Sequence, residues 1–221
     1  FHEYDFLTGK ERHLTMDQFP TKEELFQRFL TESNNGNGLS EAELQLIDQP
    51  YCTGKDIYPP RYYQRNAVNL TLNAFAHGKK RMLLVMATGT GKTYTAFQIV
   101  YRLLKAKKVK KVLYLADRNI LVDQSIQQDF QPLANTTHKV NYQQDVKNPG
   151  RTAYEVYFAL YQQMIGENNK PQYQELFKPD FFDLIIVDEC HRGSARDDSS
   201  WKVILEYFQG AAQLGMTATP K

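Results

Sequence analysis

Arg81-Met-Leu-Leu-Val-Met-Ala-Thr-Gly-Thr-Gly-Lys-Thr93 is the stretch on which the reading of this chain turns. The short apolar run from Met82 to Met86 predicts a buried strand, and the pattern from Tyr94 to Leu104 predicts a helix. Between them stand Thr88, Gly89, Thr90, Gly91, Lys92 and Thr93. Strand, glycine loop, Lys-Thr and helix is the context that a phosphate-binding loop requires. Glycines let the backbone curl and aim several N–H groups at one anion, and the helix start adds the positive end of its dipole. In such a loop the lysine reaches the β- and γ-phosphates and the hydroxyl holds Mg²⁺, which are the expected roles of Lys92 and Thr93. The first glycine of the usual pattern is replaced by Met86, with Gly89 inside the loop in compensation. The plain alternative is a Gly-rich strand-to-helix turn that holds nothing.

A phosphate loop needs an acidic partner. Phe182 to Val187 is a nearly continuous apolar run, the pattern of a strand buried on both faces of a parallel sheet, and it ends in Asp188-Glu-Cys-His191. Adjacent carboxylates at such a position are costly unless a cation or a reaction uses them. Asp188 is expected to hold Mg²⁺ and Glu189 to orient and deprotonate an attacking water. An acidic surface turn is the alternative. The last predicted strand, Ala212 to Met216, runs into Thr217-Ala-Thr-Pro220, whose hydroxyl residues Thr217 and Thr219 are placed to sense that acidic site.

The rest of the chain sets the frame. With 221 residues, 42% of them hydrophobic, it has material for one or two domains with a real core. A net charge of +2 argues neither for nor against a nucleic-acid partner. The two cysteines, Cys52 and Cys190, are too few for a disulfide framework and suit a cytoplasmic protein. No apolar run is long enough to span a bilayer, so no membrane partner is expected. Phe1 at the start and Lys221 directly after a motif suggest a piece of a longer protein.

Phe1 to Thr15 has no clear period and is expected to be irregular. Thr21 and Glu24 form a capping-box pattern for a helix to about Thr31, and Ser40 is placed to cap a second helix to about Ile47. Ser33 to Gly38 reads as a loop, and Pro50, Gly54, Pro59 and Pro60 as an extended linker. The main domain is expected to begin near Ile57, after a mostly helical connector over residues 1–56.

Arg61 to Ala76 predicts a helix with Tyr62, Ala67, Leu70, Ala74 and Phe75 on its apolar side. Gln64, near its start and beside Arg61, carries the donor and acceptor that match the N6 and N7 edge of adenine. A solvated glutamine is the alternative. Lys105, Lys107, Lys108, Lys110 and Lys111 form a basic cluster at a helix end, read as a solvated face before a phosphate contact. Lys111 to Ala116 predicts a strand, Asp117-Arg-Asn119 its carboxyl-end loop, and Ile120 to Phe130 a helix. Arg118 is a candidate contact to a nucleic-acid backbone, or an ion-pair partner of Asp117 or Asp123. A weak strand near Lys139, a strand over 154–160, short helices at 161–164 and 173–177, and a helix over 199–208 complete the pattern. Alternating strands and helices predict an α/β chain with a parallel sheet covered on both faces.

In order along the chain, these stretches resemble the first motor lobe of superfamily-two helicases and translocases. Arg61 to Arg65 is similar to the glutamine motif, Met86 to Thr93 to motif I, Leu115 to Gln124 to motif Ia and Phe158 to Met164 to motif Ib. Asp188 to His191 is similar to motif II in its D-E-x-H form, and Gly215 to Pro220 to motif III. Within that superfamily the wording is most similar to the restriction (R) subunit of type I restriction–modification enzymes. The resemblance covers Ile57 to Lys221 and implies a RecA-like, P-loop NTPase lobe in three α/β/α layers.

What the resemblance implies about function goes further. It implies an ATP- and Mg²⁺-dependent duplex-DNA translocase that works with modification and specificity subunits. A nuclease domain would precede this lobe, and a second motor lobe carrying an arginine finger would follow it. Gln64 and Arg61 would meet adenine, Thr88 to Thr93 the phosphates, Thr93 and Asp188 the metal, and Glu189 the water. His191, Thr217 and Thr219 would couple hydrolysis to DNA movement, and Arg118 and Gln162 would face DNA. Ala159 stands where motif Ib usually has a hydroxyl, and no nuclease constellation is visible before Ile57. The rival readings are a lobe of another superfamily-two DNA or RNA helicase, and a nucleic-acid-binding module whose nucleotide site is vestigial.

Overall fold

The structure, a computed structural model, describes residues 1–4, 9–32, 40–54, 57–116, 126, 128–166, 170–190 and 200–219. Two compact units emerge, Phe1–Leu44 and Gln45–Lys221. In the first, β1 (His2–Tyr4) and β2 (Glu11–His13) pair as an antiparallel ribbon with His2 opposite His13, where the sequence predicts irregular chain. Three-residue strands carry too little alternation to be seen in advance, and cross-strand charge pairing of Glu3 with Arg12 supports them. α1 (Lys22–Glu32) starts at the expected box: the Thr21 amide donates to Glu24 at 2.8 Å and the Glu24 amide to the Thr21 hydroxyl at 3.1 Å. Ser40 and Glu43 make the same reciprocal pair at the start of α2 (Glu41–Ile47).

The second unit is built on a six-stranded sheet in which every neighbouring pair is parallel. Its strands are β3 (Arg81–Val85), β4 (Val112–Ala116), β5 (Thr137–Lys139), β6 (Val156–Leu160), β7 (Leu184–Val187) and β8 (Ala212–Thr217), in spatial order β3-β8-β7-β4-β6-β5. Side chains alternate between the faces. Val112, Tyr114, Phe158, Ile186 and Leu214 pack under α3 (Tyr62–Ala76) and α4 (Lys92–Lys105). Leu113, Leu115, Tyr157, Ile185 and Val187 pack against Met164, Tyr173, Leu176, Ile204 and Phe208 on the other face. Two separate cores on one sheet make the three layers that the strand–helix alternation predicts.

Two expectations change. β3 is the edge strand, and Leu83 and Val85 are 56% and 50% exposed, so only one of its faces is buried. An apolar run reports that both faces tolerate burial; strand order decides whether both receive it. On α3 the buried side is Gln64, Val68, Thr71 and Leu72, while Tyr62 and Leu70 are 78% and 69% exposed. The polar Gln64 and Thr71 are inside because both are hydrogen-bonded, Thr71 to the Ala67 carbonyl at 2.8 Å.

Residues ahead of Ile57 also belong to this unit. Leu46 and Cys52 lie in the core under α4. Gln98 receives the Cys52 amide and donates to the Cys52 carbonyl, both at 2.9 Å. The buried Arg102 guanidinium donates to Asn69 at 2.9 Å and to the Ile47 carbonyl, and lies 4.6 Å from the centroid of the Tyr51 ring. The linker is thus laid along the helix that the glycine loop opens.

Candidate nucleotide-binding site

The strand order brings the motifs together. β3, β8 and β7 are consecutive neighbours, so the glycine loop, Thr217 and Asp188 leave adjacent strands at the same carboxyl edge. The register aligns Val85 with Thr217 and Val187 with Gly215, and the Met86 amide donates to the Thr217 carbonyl at 2.9 Å. Open parallel sheets place ligands at this edge.

The loop has the backbone of a phosphate cradle. Gly89 and Gly91 adopt positive φ of 75° and 82°, and Gly91 is the N-cap of α4. A Cβ at Gly89 would meet nothing within 4 Å, so its outer side is open to a ligand. A Cβ at Gly91 would stand 2.5 Å from the Gln64 amide nitrogen. Amides of the first turn of α4 have no carbonyl within the helix to bond, which leaves them for an anion. Lys92 extends back over the loop: its Nζ lies 3.4 Å from the Met86 carbonyl and 3.4 Å from Glu189 Oε1.

The acidic turn is tightly held. The Asp188 amide donates to the Leu115 carbonyl of β4 at 2.9 Å and the Cys190 amide to the Met216 carbonyl of β8 at 3.1 Å. Between them Glu189 takes φ of 52°. A non-glycine residue in that region costs on the order of 1–3 kcal/mol and is characteristic of functional sites. Burial pushes the Asp188 carboxyl above the ordinary range and the neighbouring Glu189 adds to the rise, while hydrogen bonds from Tyr114 and the Glu189 amide and the charge of Lys92 oppose it. Tyr114 donates to Asp188 Oδ2 at 2.9 Å and the Glu189 amide to Oδ1 at 3.0 Å.

A cleft of about 920 Å³ opens beside the loop, lined by Tyr58, Arg61, Gln64, Thr90, Tyr94 and Asp129 among others. Gln64 is not idle: its Oε1 accepts from the Arg61 amide at 2.9 Å and its Nε2 donates to the Thr90 carbonyl at 2.9 Å. It therefore caps α3 and braces the glycine loop at once, with one amide hydrogen and one lone pair left over for a base. Burial pushes the Asp129 carboxyl up.

Thr217 is buried, accepts from the Thr219 amide and donates to the Thr219 carbonyl, each at 3.1 Å, so the end of β8 closes on itself. Gln162 is exposed on the short helix 161–164 that follows β6, away from the glycine loop in the strand order. His191 and Arg118 lie outside the described residues, as does most of the predicted helix 120–130. Sequence reasoning missed Tyr114, Tyr161 and Asp129. Tyr114 reads as one more apolar strand residue, and only the pairing of β4 with β7 brings it to Asp188.

The protein-family model described as "Type III restriction enzyme, res subunit" matches residues 57–221. The chain belongs to this family. It is also similar to the type I restriction enzyme EcoAI endonuclease subunit of Escherichia coli, with 50% identity over 96% of this chain. It spans 25% of that relative's length. A fragment structure named as the HsdR subunit of a type I restriction enzyme from Vibrio vulnificus YJ016 superposes with a TM-score of 0.72 at 37% identity, covering 100% of this chain and 36% of that one. A nuclease-deletion mutant of the type ISP restriction–modification enzyme LlaGI, in complex with a DNA substrate mimic, matches with a TM-score of 0.54 at 27% identity over 74% of this chain and 18% of its own. The resemblance to the restriction-subunit branch of the superfamily is therefore borne out, and the sheet is its RecA-like lobe. The family model begins at 57, whereas the compact unit begins at Gln45. Among the described residues no helix is long and apolar enough to cross a membrane.

Proposed function

We propose that this chain is the ATP-binding first motor lobe of the DNA-translocating, endonuclease-bearing subunit of a type I restriction enzyme. The observation that carries the proposal is the placement of Lys92, after β3, 3.4 Å from Glu189, after β7, across the tip of the intervening β8, beside an open glycine turn and a cleft of base-binding size. Arg61 and Gln64 receive adenine, and the loop from Thr88 to Thr93 receives the phosphates. Glu189 holds and deprotonates the attacking water, and Lys92 moves from its carboxylate partner to the phosphates.

The donor set suits a hard cation: a hydroxyl at Thr93 and a carboxylate at Asp188, both oxygen. Few protein ligands suit Mg²⁺, which keeps waters and substrate phosphates as its others. Bound there, Mg²⁺ would neutralise charge on the transferred phosphoryl group. Thr93 and Asp188 would hold it.

His191, Thr217 and Thr219 couple the nucleotide to movement along duplex DNA, which Gln162 and Arg118 contact. Modification and specificity subunits supply the site preference. Residues from Gln45 onward form the lobe, and the preceding unit connects it to a nuclease domain. A second lobe completes the catalytic site with an arginine, so the isolated lobe binds Mg-ATP weakly and turns over very slowly. Lys92→Ala in the full-length subunit tests the reading: loss of ATP binding and of translocation is expected, and unchanged activity would favour a vestigial site. ATPase stimulation by duplex DNA, but not by single strands or RNA, separates this motor from other superfamily-two helicases.

A further inference from the structure

Tyr114 meets one of the two side chains that the proposed function assigns to the metal. Its phenol donates to Asp188 Oδ2 at 2.9 Å. The ring has no freedom to leave. Tyr114 is 1% exposed, stacks on Phe158 with centroids 4.8 Å apart, and meets Phe130 edge-on at 5.9 Å. Asp188 Oδ1 is taken by the Glu189 amide at 3.0 Å, so the carboxylate is held through both oxygens.

Donor and acceptor counting then orients the protons. An ionised carboxylate only accepts, so the Tyr114 hydrogen must point to Asp188. With the Tyr114 phenol on Oδ2 and the Glu189 amide on Oδ1, each carboxylate oxygen has one donor fixed and its remaining lone pairs set in direction. We infer that Tyr114 is a positioning residue for the metal site: it locks the Asp188 carboxylate in the orientation that receives the cation. This rests on the reading of Asp188 as a Mg²⁺ ligand. Outer partners of this kind change metal affinity by roughly 10- to 100-fold when removed.

The test is Tyr114→Phe in the full-length subunit, with affinity for a non-hydrolysable ATP analogue measured by calorimetry across a Mg²⁺ series that begins in EDTA. Metal-free affinity should stay within about twofold of wild type, while the Mg²⁺ concentration that half-maximally tightens binding should rise by roughly tenfold. Phe158→Leu loosens the same ring but keeps the hydroxyl, and should leave the Mg²⁺ response unchanged. A Tyr114→Phe subunit with a wild-type Mg²⁺ response, or a Phe158→Leu subunit shifted as far, overturns the inference while leaving the nucleotide site standing. A wild type that binds the analogue with no Mg²⁺ dependence overturns the inference and the ligand assignment together. Should Tyr114→Phe be insoluble, Asp188→Asn is added: recovery of a soluble chain supports the pairing, and continued insolubility overturns it.

Discussion

Tyr161 donates its phenol hydrogen bond to the backbone carbonyl of Asp188 at 2.9 Å. The first residue of the helix after β6 is thereby tied to the residue that follows β7, although β4 stands between the two strands. The helix carries Gln162, the proposed DNA contact, and the carbonyl belongs to the proposed metal ligand. On the proposed reading, a displacement of the helix by DNA would reach the acidic turn through this bond.

Tyr161→Phe should weaken that link. One hydrogen bond is worth roughly 0.5–1.5 kcal/mol, so DNA-stimulated ATPase of the full-length subunit should fall by about 2- to 10-fold, and basal ATPase by less. Equal falls in both rates would mean that the bond supports the site without transmitting anything to it.

Glu189→Gln should separate binding from chemistry. The amide keeps the volume at the left-handed turn but cannot take a proton, so turnover should drop by roughly 100- to 10,000-fold. Affinity for Mg-ATP should hold or rise slightly, because an ion-pair partner of Lys92 is removed. Single-turnover kinetics and equilibrium binding on the same preparation distinguish this from a damaged site.

Gly91→Ala should fail for two independent reasons. The backbone has φ of +82°, and the new Cβ would stand 2.5 Å from the Gln64 amide nitrogen. The backbone strain alone is about 1–2 kcal/mol. The side chain of Gln64 must also give up the Thr90 carbonyl. Nucleotide affinity should be lower in Gly91→Ala/Gln64→Ala than in Gln64→Ala alone, since removing the Gln64 side chain relieves the contact and not the strain; equal affinities in those two variants would show that the contact alone mattered.

Gln98→Leu tests the clamp between α4 and the linker. It orphans the amide and the carbonyl of Cys52, each buried group costing roughly 1–3 kcal/mol. Hydrogen exchange at Cys52 should accelerate markedly, and denaturant should unfold the full-length subunit at a lower midpoint. Protection equal to wild type would show that Leu46 and Arg102 hold the linker without it.

How much of this was visible in advance depends on the range of the interaction. Thr21 with Glu24 and Ser40 with Glu43 are partners three residues apart, and a local pattern reports a local bond. Strands β4, β6, β7 and β8 follow from short apolar runs, and the glycine loop and acidic pair from residue types whose chemistry has few other uses. The sequence by itself therefore determined the element order, the α/β class and which residues form the glycine loop and the acidic turn. Tertiary structure alone decided which strand lies at the edge, which side of α3 is buried, that Gln64 braces Thr90, and that Tyr114 reaches Asp188. That last pair is separated by 74 positions, and its contact depends on β4 pairing in register with β7. Periodicity along a chain records which faces are apolar; it holds no record of which neighbour will cover them, because that is chosen only when distant strands compete for the same edge.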